Sequence, residues 1–334
     1  MPFREKGEPM NSTVVKSDVV MPRHQLSMQQ FGDVFIEALP RHISALKIPG
    51  RVIMGGQRKA AVPAHVDYVS AMQLAMYEVL CHDVTQQAQR WAEKSFNAFL
   101  EKERVDEGVL KFFNGWHETH KTTSLVSAKI IMRLAADAGA IPVPRQPLYN
   151  NVMAHMHEVA KDDFGLGHEG HDGMYEYMTT AFGASRWVEK QYAVKACNEF
   201  SEFLYSVGVA ENKSPLRSHE HKQSILAAMM TSVASELWNG REYNYIAQYI
   251  GEKLQAVNPT LRADLKALRV AKGYVMGHSG EVENRHGLHA LAAAQAYCRF
   301  ADIEFDIGRL KEVMLDYNDR VGNAFRGLHD ALMH

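Results

Sequence analysis

Acidic and histidine side chains are concentrated in one short stretch of the sequence, residues 156–178. Mixed oxygen and nitrogen donors of this kind suit a bound iron, manganese or zinc ion. Its potential ligands are Glu158, Asp162, Asp163, His168, His171 and Asp172. A polar loop between two helices has the same composition, so the stretch predicts a metal site only if other parts of the chain supply further ligands.

A second stretch, residues 277–289, offers a matching set of donors. Glu283 and His286 are three residues apart, so on a helix they project from the same side. A Glu-x-x-His pair that faces the inside of a helical bundle is one way to hold iron or manganese. His278 lies just upstream, where the irregular pair Ser279 and Gly280 could bring it to the same place.

The third candidate is a glutamate within residues 234–245, either Glu236 or Glu242. An exposed carboxylate at a helix end is the ordinary alternative for each. Together the three stretches supply enough oxygen and nitrogen donors for two metal ions. Sulfur donors are absent, which disfavours a structural zinc site and favours iron or manganese.

Other familiar catalytic motifs do not occur in the sequence. There is no glycine-rich dinucleotide or phosphate loop, no HExxH and no GxSxG. The spacing of His168 and His171 is one residue too short for the zinc-protease pattern. His117 and His120 are predicted to be solvent-exposed near a helix start.

Helices are the elements that must position these residues, because the apolar residues recur with helical rather than alternating spacing. Residues 1–24 are predicted to be a tail or arm, followed by a single all-α domain over 25–334. The helical segments are predicted at 27–46 with an interruption at Pro40, 64–101 as two helices, 107–115, 117–138, 147–163, 173–182, 185–207, 222–238, 242–257 after a break at Gly240, 281–300 and 305–332.

Composition limits the classes of protein to which the chain can belong. The 334 residues carry a net charge of −2, which gives no case for a nucleic-acid or anionic-membrane partner. No apolar run is long enough to span a membrane, and residues 1–23 lack the apolar core of a signal peptide. Three widely separated cysteines favour a reducing cytoplasm. The 17 histidines are a weak indication of metal binding, for which surface histidines are the ordinary alternative.

The two histidine-rich stretches carry a resemblance to a known family. Residues 156–167 match the form Met-x-Glu-x-x-x-Asp-Glu-Tyr/Phe-Gly-x-Gly, and residues 281–286 match the second half of His-x-Glu-Val-Asp-x-x-His. Both patterns are typical of the haem-oxygenase-like diiron oxidases and oxygenases, which the sequence resembles over residues 150–300. It departs from the family at four points. Asp163 stands in place of a glutamate, and Glu283 stands in place of an aspartate. The gap to His171 is shorter than in the family, and His278 is displaced by one residue.

The resemblance implies a haem-oxygenase-like bundle with two non-haem irons per chain and O2 as co-substrate. The implied metal ligands are Asp163, His171, Glu242, His278, Glu283 and His286. Alternates for these positions are Glu158, His168, Glu236 and His289, and Glu158 is also the implied catalytic carboxylate. It stays open whether Glu158 or Asp163 binds metal, and whether His168 or His171 does. The identity of the metal, iron or manganese, also stays open.

The implied reaction is oxidation of a small amine or amino-acid-like substrate, most readily N-oxygenation in a biosynthetic pathway. Desaturation and oxidative C–C cleavage are alternatives within the family. Residues implied to contact the substrate are Arg241, Tyr245, Phe164 and Tyr175. A carrier protein or a reductase could be a partner, and the chain could form a homodimer. Two other possibilities are a metal-free bundle enzyme resembling thiaminase-II or pyrroloquinoline-quinone synthase and a non-catalytic helical binding protein.

Overall fold

The computed structural model describes residues 25–48, 61–163, 170–209 and 213–334, most of which are helical. The α-helices are α1 Met28–Glu37, α2 Leu39–Ala45, α3 Val69–Cys81, α4 Asp83–Glu101, α5 Glu107–Asp137, α6 Gln146–Asp163, α7 His171–Ala181, α8 Lys195–Leu204, α9 His219–Ala247, α10 Ile250–Val257, α11 Leu265–Ala271, α12 Gly273–His278, α13 Val282–Ala301 and α14 Ile307–Met333. The predicted all-α class is confirmed.

The only strands among the described residues are two short ones, β1 Lys47–Ile48 and β2 Val62–Pro63. They pair antiparallel, with Lys47 opposite Pro63 and Ile48 opposite Val62. Single turns of 3₁₀ helix and one π-helical turn connect the longer helices, at Ala138–Ala140, Val143–Arg145, Ser185–Val188, Lys190–Tyr192, Tyr205–Val209 and Pro259–Arg262. The pair of strands is too small to form a sheet layer, so the core is made by helices alone.

Helix α9 forms the centre of the bundle. Almost every residue from Ile225 to Ile246 is buried, and a helix that is apolar on all sides must be surrounded by others. Helices α13, α5, α14, α1 and α12 pack around it. α13 is similarly buried, and in its alanine-rich middle, Ala290–Ala294, Leu291 is the one large side chain.

Two antiparallel contacts of α13 fix the positions of its polar residues. Against α9, the backbone at Gly240 faces Asn284 and that at Gly287 faces Leu237. Against α6, the guanidinium of Arg145 donates to the Phe300 carbonyl at 2.7 Å, and the rings of His155 and His289 lie 5.3 Å apart at the other end. Helix α13 therefore packs against both α9 and α6.

Several of the predicted helix boundaries are wrong. The helix predicted over 185–207 begins only at Lys195, after two 3₁₀ turns, and the one predicted over 242–257 is divided between α9 and α10. Residues 107–137 form one helix, α5, rather than two. The predicted break at Gly240 does not exist, because α9 continues from His219 to Ala247 and Gly240 lies inside it. The interruption at Pro40 is confirmed: α1 ends at Glu37 and α2 begins at Leu39, with Pro40 in its first turn.

Among the described helices, none is both long enough and apolar enough to cross a membrane. The predicted tail, residues 1–24, lies outside the described residues.

Candidate metal centre

Three buried side chains converge where α9 crosses α13: Glu236 from α9, and Glu283 and His286 from α13. One ligand atom from each lies within 4.8 Å of the others. His286 Nδ1 is 3.8 Å from Glu236 Oε2 and 3.9 Å from Glu283 Oε2, beyond hydrogen-bond distance. We call this set the Glu–Glu–His group. Its ligand atoms are spaced as they would be around a bound cation. A positive charge between the two buried carboxylates would offset their mutual repulsion.

His278, the last residue of α12, joins this group from the side. Its Nδ1 lies 2.6 Å from Glu283 Oε1, and its ring packs between the rings of Tyr243 and Tyr274, with centroids 4.8 and 5.2 Å away. Burial alone would raise the pKa of Glu283, but the charge and hydrogen bond of His278, with the nearby His286, outweigh it and hold the pKa well below its usual range. Glu283 is therefore an anion, as a metal ligand must be.

The close approach of α9 and α13 explains why these side chains meet. A Cβ atom at Gly287 would lie 2.8 Å from Leu237 Cδ2 and 3.4 Å from Glu236 Cβ, so only glycine lets the two helices come this near. One turn away, the Asn244 side chain accepts from the Gly280 amide at 2.7 Å and donates to the Gly280 carbonyl at 2.9 Å. Gly280 has a φ of 76°, which glycine adopts without strain.

Glu242, predicted as a ligand, lies in a different cluster that we call the indole–carboxylate cluster: Glu242, Trp116, Trp238 and His120. Trp116 Nε1 donates to Glu242 Oε1 at 2.7 Å, and Trp238 Nε1 donates to Oε2 at 2.6 Å. His120 Nε2 lies 3.1 Å from Oε1, and His120 Nδ1 is 2.9 Å from the Trp116 carbonyl. Three donors already occupy this fully buried carboxylate. Of the two glutamates considered, Glu236 is the one that reaches Glu283 and His286.

The predicted exposure of His120 is wrong. Its side chain is only 4 % exposed, because α5 places it against α9 rather than toward solvent. Burial lowers the pKa of His120, but the charge of Glu242 and the hydrogen bonds to Glu242 and Trp116 more than compensate and raise it. With an acceptor at each ring nitrogen, His120 is an imidazolium that neutralises Glu242.

Helix α6 brings part of the first predicted stretch against α13. Because α6 and α13 are antiparallel and His155 faces His289, Glu158 lies one turn further along, level with His286. Glu158 is 7 % exposed, and its Oε2 accepts from Lys161 at 2.6 Å. The side chain of Asp163, at the end of α6, and that of His171, at the start of α7, lie outside the described part of the structure, as do residues Phe164 and His168.

A cavity of about 350 Å³ opens beside the indole–carboxylate cluster, between α5, α7 and α12. Its polar lining includes His117, His120, Lys121, Asp172, Tyr175 and Tyr274. His117 Nε2 lies 3.0 Å from Asp172 Oδ1 in the cavity wall, and burial lowers the pKa of His117 despite that carboxylate. Tyr274 also contacts His278, so a molecule in the cavity would be separated from Glu283 by two side chains.

The four residues predicted to contact substrate are placed differently. Tyr175 lines the cavity, with its hydroxyl donating to the Phe113 carbonyl at 2.7 Å. Arg241 does not line it: its guanidinium lies over the Trp238 ring, 5.3 Å from the centroid, and its Nη1 donates to Gln89 Oε1 at 3.2 Å. The Tyr245 hydroxyl donates to Asn97 Oδ1 at 2.9 Å, also away from the cavity. Phe164 lies outside the described residues.

Two buried polar residues, His155 and His120, are not predicted from the sequence as part of the core, although the sequence carries a signal for each. His155 shares one helical face with the fully buried Val152, Met156 and Val159, so a polar side chain was visible on an apolar face. His120 follows Trp116 by four residues, a spacing that places both on one side of α5.

Comparison with protein-family models, curated proteins and solved structures found no match.

Proposed function

We propose that the protein is a non-haem, metal-dependent oxidase or oxygenase that uses O2 and two irons to oxidise a small molecule. The observation that carries this proposal is the burial of two carboxylates and an imidazole around one point, with His278 beside them. Carboxylate and imidazole donors without sulfur suit iron or manganese, and the donor set fits either ion. Bound ferrous ions would supply the electrons that activate O2.

The chain's own residues would position the ions and exclude water. Glu236, Glu283 and His286 would bind directly, and Glu158 lies on α6, which packs against α13. The aromatic rings of Tyr243 and Tyr274 separate the Glu–Glu–His group from the cavity. Dry, rigid surroundings of this kind keep ligands in place and limit side reactions.

The cavity supports a small substrate. At about 350 Å³ it is near the lower end of the range for ligand pockets, which suits an amine or amino-acid-sized molecule. Its lining carries charged groups of both signs, Lys121 and Asp172, and Tyr175 and Tyr274 supply apolar faces. N-oxygenation is the reaction we propose first, with desaturation and C–C cleavage as alternatives.

Iron content tests the proposal directly. Metal-free protein is loaded with Fe(II) without oxygen, desalted and analysed for iron, then exposed to O2 while its visible absorption is followed. We expect two irons per chain and a transient absorption band. His286→Ala should lose iron, whereas the control His65→Ala should not, because the His65 side chain is 72 % exposed. Wild-type protein that takes up no iron would overturn the proposal.

One observation favours a second candidate, a metal-free acid–base enzyme. His278 and Glu283 form a buried imidazole–carboxylate pair at 2.6 Å, the arrangement in which a carboxylate orients a general base. Chelation separates the two candidates once a substrate is found. A chelator should abolish turnover by the oxygenase and leave that of the acid–base enzyme unchanged.

A further inference from the structure

A second, smaller cavity of about 20 Å³ lies where α1, α3, α9, α13 and α14 come together. Eight of its ten lining residues are glycine, aliphatic, aromatic or methionine, and the other two are Arg241 and Asn284. Neither carboxylate of the Glu–Glu–His group lines it. A cavity of this volume holds one particle about the size of a water molecule.

Arg241 brings a positive charge to the wall of this cavity. Its side chain is 8 % exposed. Its Nε donates to the Leu237 carbonyl at 3.2 Å and its Nη1 donates to Gln89 Oε1, also at 3.2 Å, while its Nη2 has no hydrogen-bond partner in the described part of the chain. Both acceptors are neutral, and so is the Trp238 ring on which the guanidinium lies. The surrounding protein groups therefore solvate the charge without balancing it.

Among the described residues, no carboxylate lies within ion-pair distance of Arg241. Hydrogen bonds connect it to one acid only indirectly. Gln89 donates to Gln29 Oε1 at 2.9 Å, and Gln29 donates to Asp33 Oδ1 at 3.2 Å, so two amide side chains separate the Asp33 charge from the guanidinium. A buried charge with no opposite charge beside it is costly. The position of this arginine therefore points to a counter-ion.

The chemistry of the cavity selects the kind of counter-ion. Burial lowers the pKa of Arg241 to about 10, so the guanidinium is still ionised at physiological pH and an anion is needed. Asn284 can add amide N–H donors on the same cavity wall. Phosphate, sulfate and the carboxylate of a metabolite have several heavy atoms and exceed the space for one particle, whereas a halide ion is a single atom.

We propose that this cavity binds one chloride ion, with Arg241 as its charged ligand and the side-chain amide of Asn284 as a second donor. The ion neutralises the guanidinium where α1 and α3 pack on α9, and it stabilises that contact. A water molecule could accept from Nη2 but would leave the charge unbalanced. The site is independent of the proposed function, because it lies in a different cavity and its ligand is an anion.

Thermal unfolding of the full-length protein tests the site in solution. Sodium gluconate is replaced stepwise by sodium chloride at constant ionic strength, since gluconate is too large for the cavity. The melting temperature of wild type should rise by on the order of 2 °C and then level off as the site fills. Arg241→Met keeps the length of the side chain, removes its charge and should show no such rise.

Arg145→Met is the matched control. Arg145 is 41 % exposed and pairs with Asp302 at the surface, so its loss should leave the chloride response as in wild type. An equal, saturable response in Arg241→Met would overturn the proposal, because chloride would then act elsewhere on the protein.

Bromide locates the ion directly and needs no variant, so the test holds even if Arg241→Met does not fold. Wild-type crystals grown or soaked in sodium bromide are measured at the bromine absorption edge. We expect an anomalous peak within hydrogen-bond distance of Arg241 and Asn284. Crystals with no peak in this cavity would show that it holds no halide and would refute the site. Neither result bears on the metal centre, which is tested by its iron content.

Discussion

Glu236 and Glu242 lie less than two turns apart on α9, yet their carboxylates have different surroundings. Glu242 accepts hydrogen bonds from two indoles and faces the imidazolium of His120. Glu236 faces a second carboxylate, Glu283, and His286. A carboxylate neutralised by fixed donors gains little from a metal ion, whereas two carboxylates placed together are stabilised by one. Because both glutamates are buried, we assign their roles from their neighbours: a structural role to Glu242 and a metal-binding role to Glu236.

The ion pair between His120 and Glu242 predicts a specific pH dependence. His120→Leu should destabilise the metal-free protein by about 3 kcal/mol, because it leaves the Glu242 charge buried without a partner. The folded-state pKa of His120 is raised, so its stabilisation is complete below the unfolded value near 6.5 and declines as pH rises through the folded value. Urea unfolding of wild type and variant between pH 5 and 9 measures this.

The gap in unfolding free energy between wild type and His120→Leu should therefore be widest at the acid end and narrow toward pH 9. His65→Leu serves as the matched control and should unfold like wild type throughout, since its side chain is mostly in solvent. A gap that widens with rising pH would contradict the proposed ion pair.

At the scale of the elements, the site depends on how closely α9 and α13 approach. At Gly240 a Cβ atom would lie 2.4 Å from Asn284 Oδ1, and at Gly287 it would lie 2.8 Å from Leu237 Cδ2. Both glycines therefore reduce the distance between helix axes at the level of Glu236 and Glu283. The sequence marks them only as glycines, which is why Gly240 was interpreted as the end of a helix.

Gly287→Ala should separate the two helices where the Glu–Glu–His group forms. We expect a loss of about 1–3 kcal/mol from overpacking and weaker binding of Co(II), because Glu236 moves with its helix. Gly251→Ala is the control, since no atom lies within 4 Å of a Cβ at Gly251 and alanine favours helix there. Thermal unfolding with and without Co(II) gives both quantities. Equal metal affinity in wild type and Gly287→Ala would show that the helix spacing does not control the site.

The limits of sequence-based prediction also follow from the elements. Helical periodicity predicted the all-α bundle, and the i, i+3 spacing of Glu283 and His286 predicted that they share a face. The choice between Glu236 and Glu242 depends on which neighbour crosses α9 at each turn, and nothing local encodes that. Glu236 did carry one signal, because it is the single charged residue in the apolar run from Ile225 to Trp238.

At the scale of the whole molecule, the bundle keeps ionised groups at its centre that hydrophobic side chains could replace. Glu283 is held as an anion by its histidines, and Glu236 adds a further acidic group at the same point. Buried charges of this kind are seldom the most stable solution for a core. Residues that cost stability at one place are commonly functional, since selection keeps them for binding or catalysis.

This trade-off makes Glu236→Gln a decisive change for the molecule as a whole. Glutamine keeps the shape of the side chain and removes its charge, so the metal-free variant should be as stable as wild type or more stable. Metal binds only the folded protein, and at 100 times its dissociation constant it adds about 2.7 kcal/mol to wild type. The variant should lose most of that gain. Melting temperatures of both proteins, measured with chelator and with Mn(II), should therefore differ most in the presence of metal, with wild type the higher. A metal-induced increase in melting temperature of equal size in both proteins would mean that the ion binds elsewhere in the chain.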